Sequence, residues 1–282
     1  MNLNLVLKSL DSTGHFGHII SVEEGMILHN SLLILQNENH FKQVFFWGKI
    51  LGSENDYYVA YGYTRDIIYG KVYYYSRNCI DWGLLPQPTK NGSILTPLCT
   101  TKFQGDPSLV VDVLIEKDET LVPGKRKQPQ LRKLKEEDRL ACTVHLIIEE
   151  VGVVPRGALF KRPDGVIIEN LSFEGISPLE AREITSFLHF RQPTRKYNTN
   201  LLTRDDYNYA MDFLDPLDID IPEGCWIIHV TSSEDMVILK SIYWPGLMFF
   251  HYLKTSQHGF VYFGHGKKCL DAPFLLNPFM QL

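Results

Sequence analysis

The stretch "CWIIHVTSSEDMVILKSIYWPGLMFFHYLKTSQHGFVYFG", residues 225–264, decides the fold. Four runs rich in β-branched and aromatic residues, "CWIIHV", "MVILKSI", "LMFFHYL" and "GFVYFG", are punctuated by the polar segments "TSSED" and "KTSQHG". That pattern reads as antiparallel strands joined hairpin to hairpin, a β-meander. Both of its faces are apolar. Trp226, Ile228 and Val230 alternate with Cys225 and Ile227, and Leu247 and Phe249 alternate with Met248, Phe250 and Tyr252. An antiparallel sheet ordinarily leaves one face to water. Either helices of this chain or a protein partner must therefore cover the second face.

Working back toward the N-terminus, "QVFFWGKIL", "YYVAYGY" and "KVYYYS" (residues 43–51, 57–63 and 71–76) are short aromatic runs separated by turns, again antiparallel strands. The first forty residues read as helical. Ser21 and Glu24 form a capping box, and Val22, Met26, Leu32 and Leu33 recur at helical spacing as its core face. Prolines 86, 88, 97, 107, 123 and 129 break any long element, and the basic run "KRKQPQLRKLK" (125–135) reads as a flexible loop. "EEDRLACTVHLII" (136–148) predicts a helix, acidic at its positive end. "GVVPRGALFK" reads as strand and "RPDG" as a hairpin turn. "SPLEAREITSFLHF" (177–190) predicts a helix capped by Ser177, with Pro178 at its first position and Glu180 completing the box. A further helix is expected over 204–213.

The expected class is α+β, mostly antiparallel sheet with hairpins and a C-terminal meander, plus several helices including N-terminal ones. Three regions are expected: 1–120, N-terminal helices with an aromatic β-hairpin lobe; 121–135, a basic loop or linker; and 136–282, an α+β lobe ending in the meander. With 44 % hydrophobic and 22 % charged residues the chain has an ordinary globular composition. A net charge of −5 argues against nucleic acid as a partner. No run approaches the ~18 apolar residues that cross a bilayer, and no signal peptide is visible. Five dispersed cysteines (79, 99, 142, 225, 269) with no CxxC pair fit reduced thiols and a cytoplasmic protein.

Motifs for chemistry are missing. In "GFVYFGHGKK" the phosphate-loop spacing fails: counted from Gly259 the required Lys falls on His265, and counted back from Gly266 the first Gly falls on Val261. The dinucleotide pattern fails at Cys269. Lys267 and Lys268 are thus read as solvated turn residues; a nucleotide site there, or an enzyme with dispersed catalytic residues, is the competing reading. An EF-hand counted from Asp218 fails at Pro222, Glu223 and His229. His251, His258 and His265 are expected on different faces, and Cys225 and His229 too far apart to share zinc. No GxSxG or HExxH is present. No catalytic, cofactor-binding or metal residue is assigned, and no cofactor is expected.

Taken together, "FFWGKILG" with "DYYVAYG" (45–62), "CIDWGLLP" (79–86), "GDPS" (105–108), "VPRGALFK" (154–161), "FEGISPLEA" (173–181), "HFRQP" (189–193), "DIPEG" with Trp226, "WPGLMFFH" (244–251) and "GFVYFGHGKK" (259–268) resemble the radial spoke head protein 9 family of motile cilia and flagella. "VPRGALFK" and the "WPG" stretch are also similar to the larger radial spoke head 4 and 6 proteins. The resemblance implies a non-catalytic structural subunit of the axonemal spoke head, a cytoskeletal assembly that relays signals between the central pair and the dynein arms. It implies head 4/6-type proteins and other head subunits as partners, within a large complex and with no membrane role. It also suggests that the meander packs on a related head protein, by its faces or by its edge.

Overall fold

The computed structural model describes residues 1–2, 20–115, 130–194 and 205–272. In chain order the elements are α1 (Val22–Glu38), β1 (Gln43–Ile50), β2 (Tyr57–Tyr63), β3 (Val72–Ser76), β4 (Gly83–Leu84), α2 (Lys90–Leu95), β5 (Val110–Ile115), β6 (Gln130–Lys135), α3 (Glu136–Val151), β7 (Val153–Pro155), β8 (Leu159–Lys161), β9 (Ile167–Glu169), β10 (Phe187–His189), β11 (Trp226–Val230), β12 (Met236–Ser241), β13 (Leu247–Tyr252) and β14 (His258–Gly264). The fold is α+β and dominated by antiparallel sheet.

One eight-stranded sheet organises it, in the order β11-β12-β13-β14-β1-β2-β3-β4. All neighbours are antiparallel except β14 and β1, which run parallel from Gly48↔Tyr262 to Ile50↔Gly264. Strands from residues 1–120 and from 136–282 thus share one sheet. Where β1 and β14 part, Met1 lies between them: its amino group donates to the carbonyls of Phe46 (2.9 Å) and Phe260 (3.0 Å), and burial pushes that amine down to about 4.

Period-2 alternation sends side chains to two cores, one on each face. Trp47, Tyr57, Val59, Tyr61, Leu239, Phe249 and Tyr262 pack with α3 and the segment 153–190. Phe46, Tyr58, Ala60, Ile238, Phe250 and Val261 pack with α1. Both faces of the meander are therefore covered by this chain, which corrects the idea that one of them docks a partner. Phe249 and Phe250 are each 0 % exposed. A charge at either position would enter a core, and would report on folding rather than on a bound neighbour.

The capping box at Ser21 is present: Ser21 Oγ accepts from the Glu24 amide and the Glu24 carboxylate accepts from the Ser21 amide. The phase of α1 differs from expectation, however. Its buried face is Gly25, Leu28, Ser31, Leu32 and Leu35, while Val22, Met26 and Leu33 face outward. The helix is apolar on nearly every side, so periodicity alone could not choose the buried one.

The helix expected over 177–190 is absent. The Ser177–Glu180 box closes, but only two 3₁₀ turns follow (Glu180–Arg182 and Ile184–Ser186) before Phe187–His189 pairs with β7. Tertiary pairing of β10 overrides the local start signal. Residues 205–213 form turns rather than a helix. Of the basic run, residues 130–135 are strand, not loop, because β6 pairs with β5 from Val110↔Lys135 to Ile115↔Gln130. Residues 125–129 lie outside the described set.

Candidate functional site

The most tightly built polar feature lies at the start of α3. Glu136 is wholly buried. Its carboxylate accepts from three successive amides, Gln104 (2.9 Å), Gly105 (2.7 Å) and Asp106 (3.2 Å), and from the Tyr57 hydroxyl (2.8 Å). The amides belong to the turn of "GDPS", so one of the motif stretches exists to hold this carboxylate. Burial and the Glu136 carboxylate push the Tyr57 phenol well above its usual range. One turn on, the Arg139 guanidinium stacks 4.1 Å over Phe103 and donates to the Thr101 carbonyl at 2.7 Å. α3 is thereby stapled to the 101–106 loop. Every acceptor in the cluster is satisfied from within the chain, so it positions backbone and offers nothing to a substrate.

The lysines of the terminal loop are exposed but engaged. Lys267 donates to the Thr100 carbonyl, and Lys268 pairs with Glu150 at 2.6 Å while lying 4.8 Å over the Tyr243 ring. The Gly266 amide, which a phosphate would need, donates to Tyr262 Oη at 2.9 Å. Nothing in this geometry gathers free donors for an anion, and the reading of freely solvated lysines gives way to one of lysines tied to the fold.

His251 and His258 are direct partners across the β13–β14 hairpin, with ring centroids 6.2 Å apart. This corrects the expectation of different faces: residues paired across an antiparallel hairpin project to the same side. His265 stands apart on the surface. His251 Nε2 accepts from the Ile176 amide (3.1 Å) and Nδ1–H donates to the Gln257 carbonyl (3.1 Å), which fixes its neutral tautomer. Burial pushes its imidazole down to about 4; burial and the adjacent His251 do the same to His258. Unfolded histidines titrate near 6.5. The unfolded chain therefore binds protons first, and stability present above about pH 6.5 is lost as the pH falls toward 4. For the buried His251 that loss is on the order of 3 kcal/mol. Urea unfolding between pH 7 and 4.5 should show the fall. His251→Gln, less stable at pH 7, should show a shallower slope; an unchanged slope would clear this pair.

The acidic loop at 215–224 turns its side chains inward. Asp220 bridges His189 Nε2 (2.9 Å) and Trp226 Nε1 (2.8 Å), and Asp215 accepts from Arg191 and Thr194. Cys225 is buried whereas His229 is exposed, so they do not converge. Among the described residues no group of three or more His, Cys, Asp or Glu is placed to hold a metal ion, and no helix is long and apolar enough to cross a membrane. A shallow depression of about 360 Å³ is lined by Arg156, Phe173, Ile176, Glu180 and Met211, but Arg156 is already committed to Asp206 and Asp212.

What the chain leaves open is surface for other proteins. β11 is a sheet edge: in its ladder Cys225 and Thr231 face β12, so Trp226, Ile228 and Val230 turn their backbone groups outward. The outward side of α1 carries five exposed apolar residues, a surface that sequence reading assigned in part to the core.

Comparison with known proteins bears on what occupies such surfaces. A family profile described as radial spokehead-like protein matches residues 2–67. Proteins named radial spoke head protein 9 homolog align along nearly the whole chain. The one from Danio rerio is 39 % identical over 269 residues, 95 % of this chain and 97 % of the relative. Those from Bos taurus and Homo sapiens are 37 % and 36 % identical over 279 residues, 98 % of this chain and 100 % of each relative.

Proposed function

Since the chain belongs to the radial spoke head protein 9 family, we propose that it is a structural subunit of the axonemal radial spoke head, working by assembly and not by catalysis. The observation that carries this is an identity above a third, coextensive with whole relatives of that name. The motif stretches support it physically, because they are spent on the fold. "GDPS" holds Glu136, "FFWGKILG" forms the parallel seam with β14, and "WPGLMFFH" fills both cores. As part of a multi-protein spoke head in the axoneme of motile cilia, such a subunit contributes a rigid sheet with two filled cores, suited to transmitting force between the central pair and the dynein arms. Head 4/6-type proteins are the proposed immediate neighbours, and β11 offers their strands an open edge.

The test is co-purification. A tagged copy is expressed in a ciliated cell, complexes are released from isolated axonemes with salt, and stoichiometric companions are identified. Recovery with head 4/6-type proteins is the expected result; recovery alone, or with soluble metabolic enzymes, would overturn the proposal.

A further inference from the structure

The outward face of α1 is built like half of an interface. Val22, Met26 and Leu33 form one ridge and Ile27 and Ile34 a second, with exposures of 71 % for Val22 and 57 % for Met26 and Ile34. At about 100° per residue these ridges lie opposite the Leu28–Leu32–Leu35 side that packs on the sheet. Single exposed apolar residues are ordinary, but five large ones on one helix mark a contact surface. The helix is also held rigid. Trp82 Nε1 donates to Ser31 Oγ (3.2 Å), Tyr58 Oη to Glu24 (2.7 Å) and Tyr74 Oη to Asn39 (2.9 Å). A face fixed in this way loses little conformational freedom on binding.

Its charge selects the occupant. The charged side chains of α1 are Glu23, Glu24 and Glu38, with no Lys or Arg in the helix. Glu24 is occupied by Ser21 and Tyr58, which leaves an exposed carboxylate near each end of the apolar ridges. A second copy laid antiparallel would set Glu23 against Glu38, and like charges across a two-fold interface oppose pairing. We infer that this face docks an amphipathic helix of a different subunit, apolar along one stripe and carrying Lys or Arg at both ends of that stripe. Such a helix seats its stripe between the ridges in the helix-in-groove mode and places its cations on Glu23 and Glu38. The inference rests on the chain being an assembly subunit.

The full-length chain in a ciliated cell provides the test. A photo-crosslinking residue at Ile34 should join α1 to a mapped peptide of another protein whose apolar residues recur every three to four positions between basic ends. Met26→Lys/Ile34→Lys should cut salt-resistant retention in axonemal complexes by about tenfold or more. Glu23→Lys/Glu38→Lys should weaken it and flatten its salt dependence. All substituted positions are exposed, so the purified variants should melt with the natural chain, and Leu171→Lys, 95 % exposed elsewhere, should be retained normally. Undiminished retention, or a crosslink to residues 3–19, to a second copy or to a helix without basic ends, would overturn the inference. If the natural chain is recovered with a complex other than the spoke head, only the functional proposal fails, because the crosslink still reads the occupant of α1.

Discussion

Glu136→Ala is expected to destabilise the fold by about 3–5 kcal/mol, the range for removing one partner from a buried charged cluster. The deletion strands the amides of Gln104, Gly105 and Asp106 and the Tyr57 hydroxyl in a site without solvent. It also removes an acidic residue from the first turn of α3, where the helix dipole favours it. Glu136→Gln keeps an acceptor but turns an NH₂ toward donors, so an intermediate loss is expected. Tyr57→Phe, which empties one bond of four, should cost about 1 kcal/mol. Urea midpoints at constant slope would rank the three variants. Near-equality of Glu136→Ala with the natural chain would mean that the 101–106 loop does not depend on this carboxylate.

Gly48→Ala is the second large effect. Gly48 has φ +148°, and a Cβ there would stand 2.2 Å from the Tyr262 carbonyl oxygen and 2.7 Å from its amide nitrogen. Both obstacles are backbone in the paired strand, so relief requires β1 and β14 to separate. A loss of about 4 kcal/mol is expected, at the upper end for a single substitution. Because the seam joins the two halves of the sheet, the variant should also unfold less cooperatively, with the amides of Leu51 and Phe263 exchanging before those at the centre of β13. A single sharp transition at the natural midpoint would show that the strands absorb the methyl group.

Most strands were legible because their runs are short, aromatic and bounded by turn residues, and β11 to β14 fall where "CWIIHV" through "GFVYFG" place them. Pairs across one hairpin lie within reach of such reading in principle; His251 and His258 were separated only by treating the path as a single strand. The join between β1 and β14 was not legible, since nothing local marks residues 48 and 262 as neighbours. Ser177 shows the opposite failure. Its capping box is real, yet Phe187–His189 gains more by completing a ladder with Val153–Pro155 than by extending a helix. The absence of motif chemistry was readable, and the polar groups that looked most available, Lys267 and Lys268, proved to be bound to Thr100 and Glu150. The α1 surface was missed because Val22, Met26 and Leu33 share a helical stripe as convincing as the buried one.

The parallel join between β1 and β14 bears on how the molecule is made. Ile50 meets Gly264 more than two hundred residues later, among the most distant pairings the chain contains. During synthesis β1 leaves the ribosome with β2 and β3 to pair with on one side, while its other side stays open until almost the whole polypeptide has emerged. A half-built sheet with an aromatic open edge is prone to pairing with the wrong neighbour. Production of this subunit should therefore draw on chaperones late in translation, and a premature stop before residue 264 should yield insoluble protein, not a shortened subunit that still assembles.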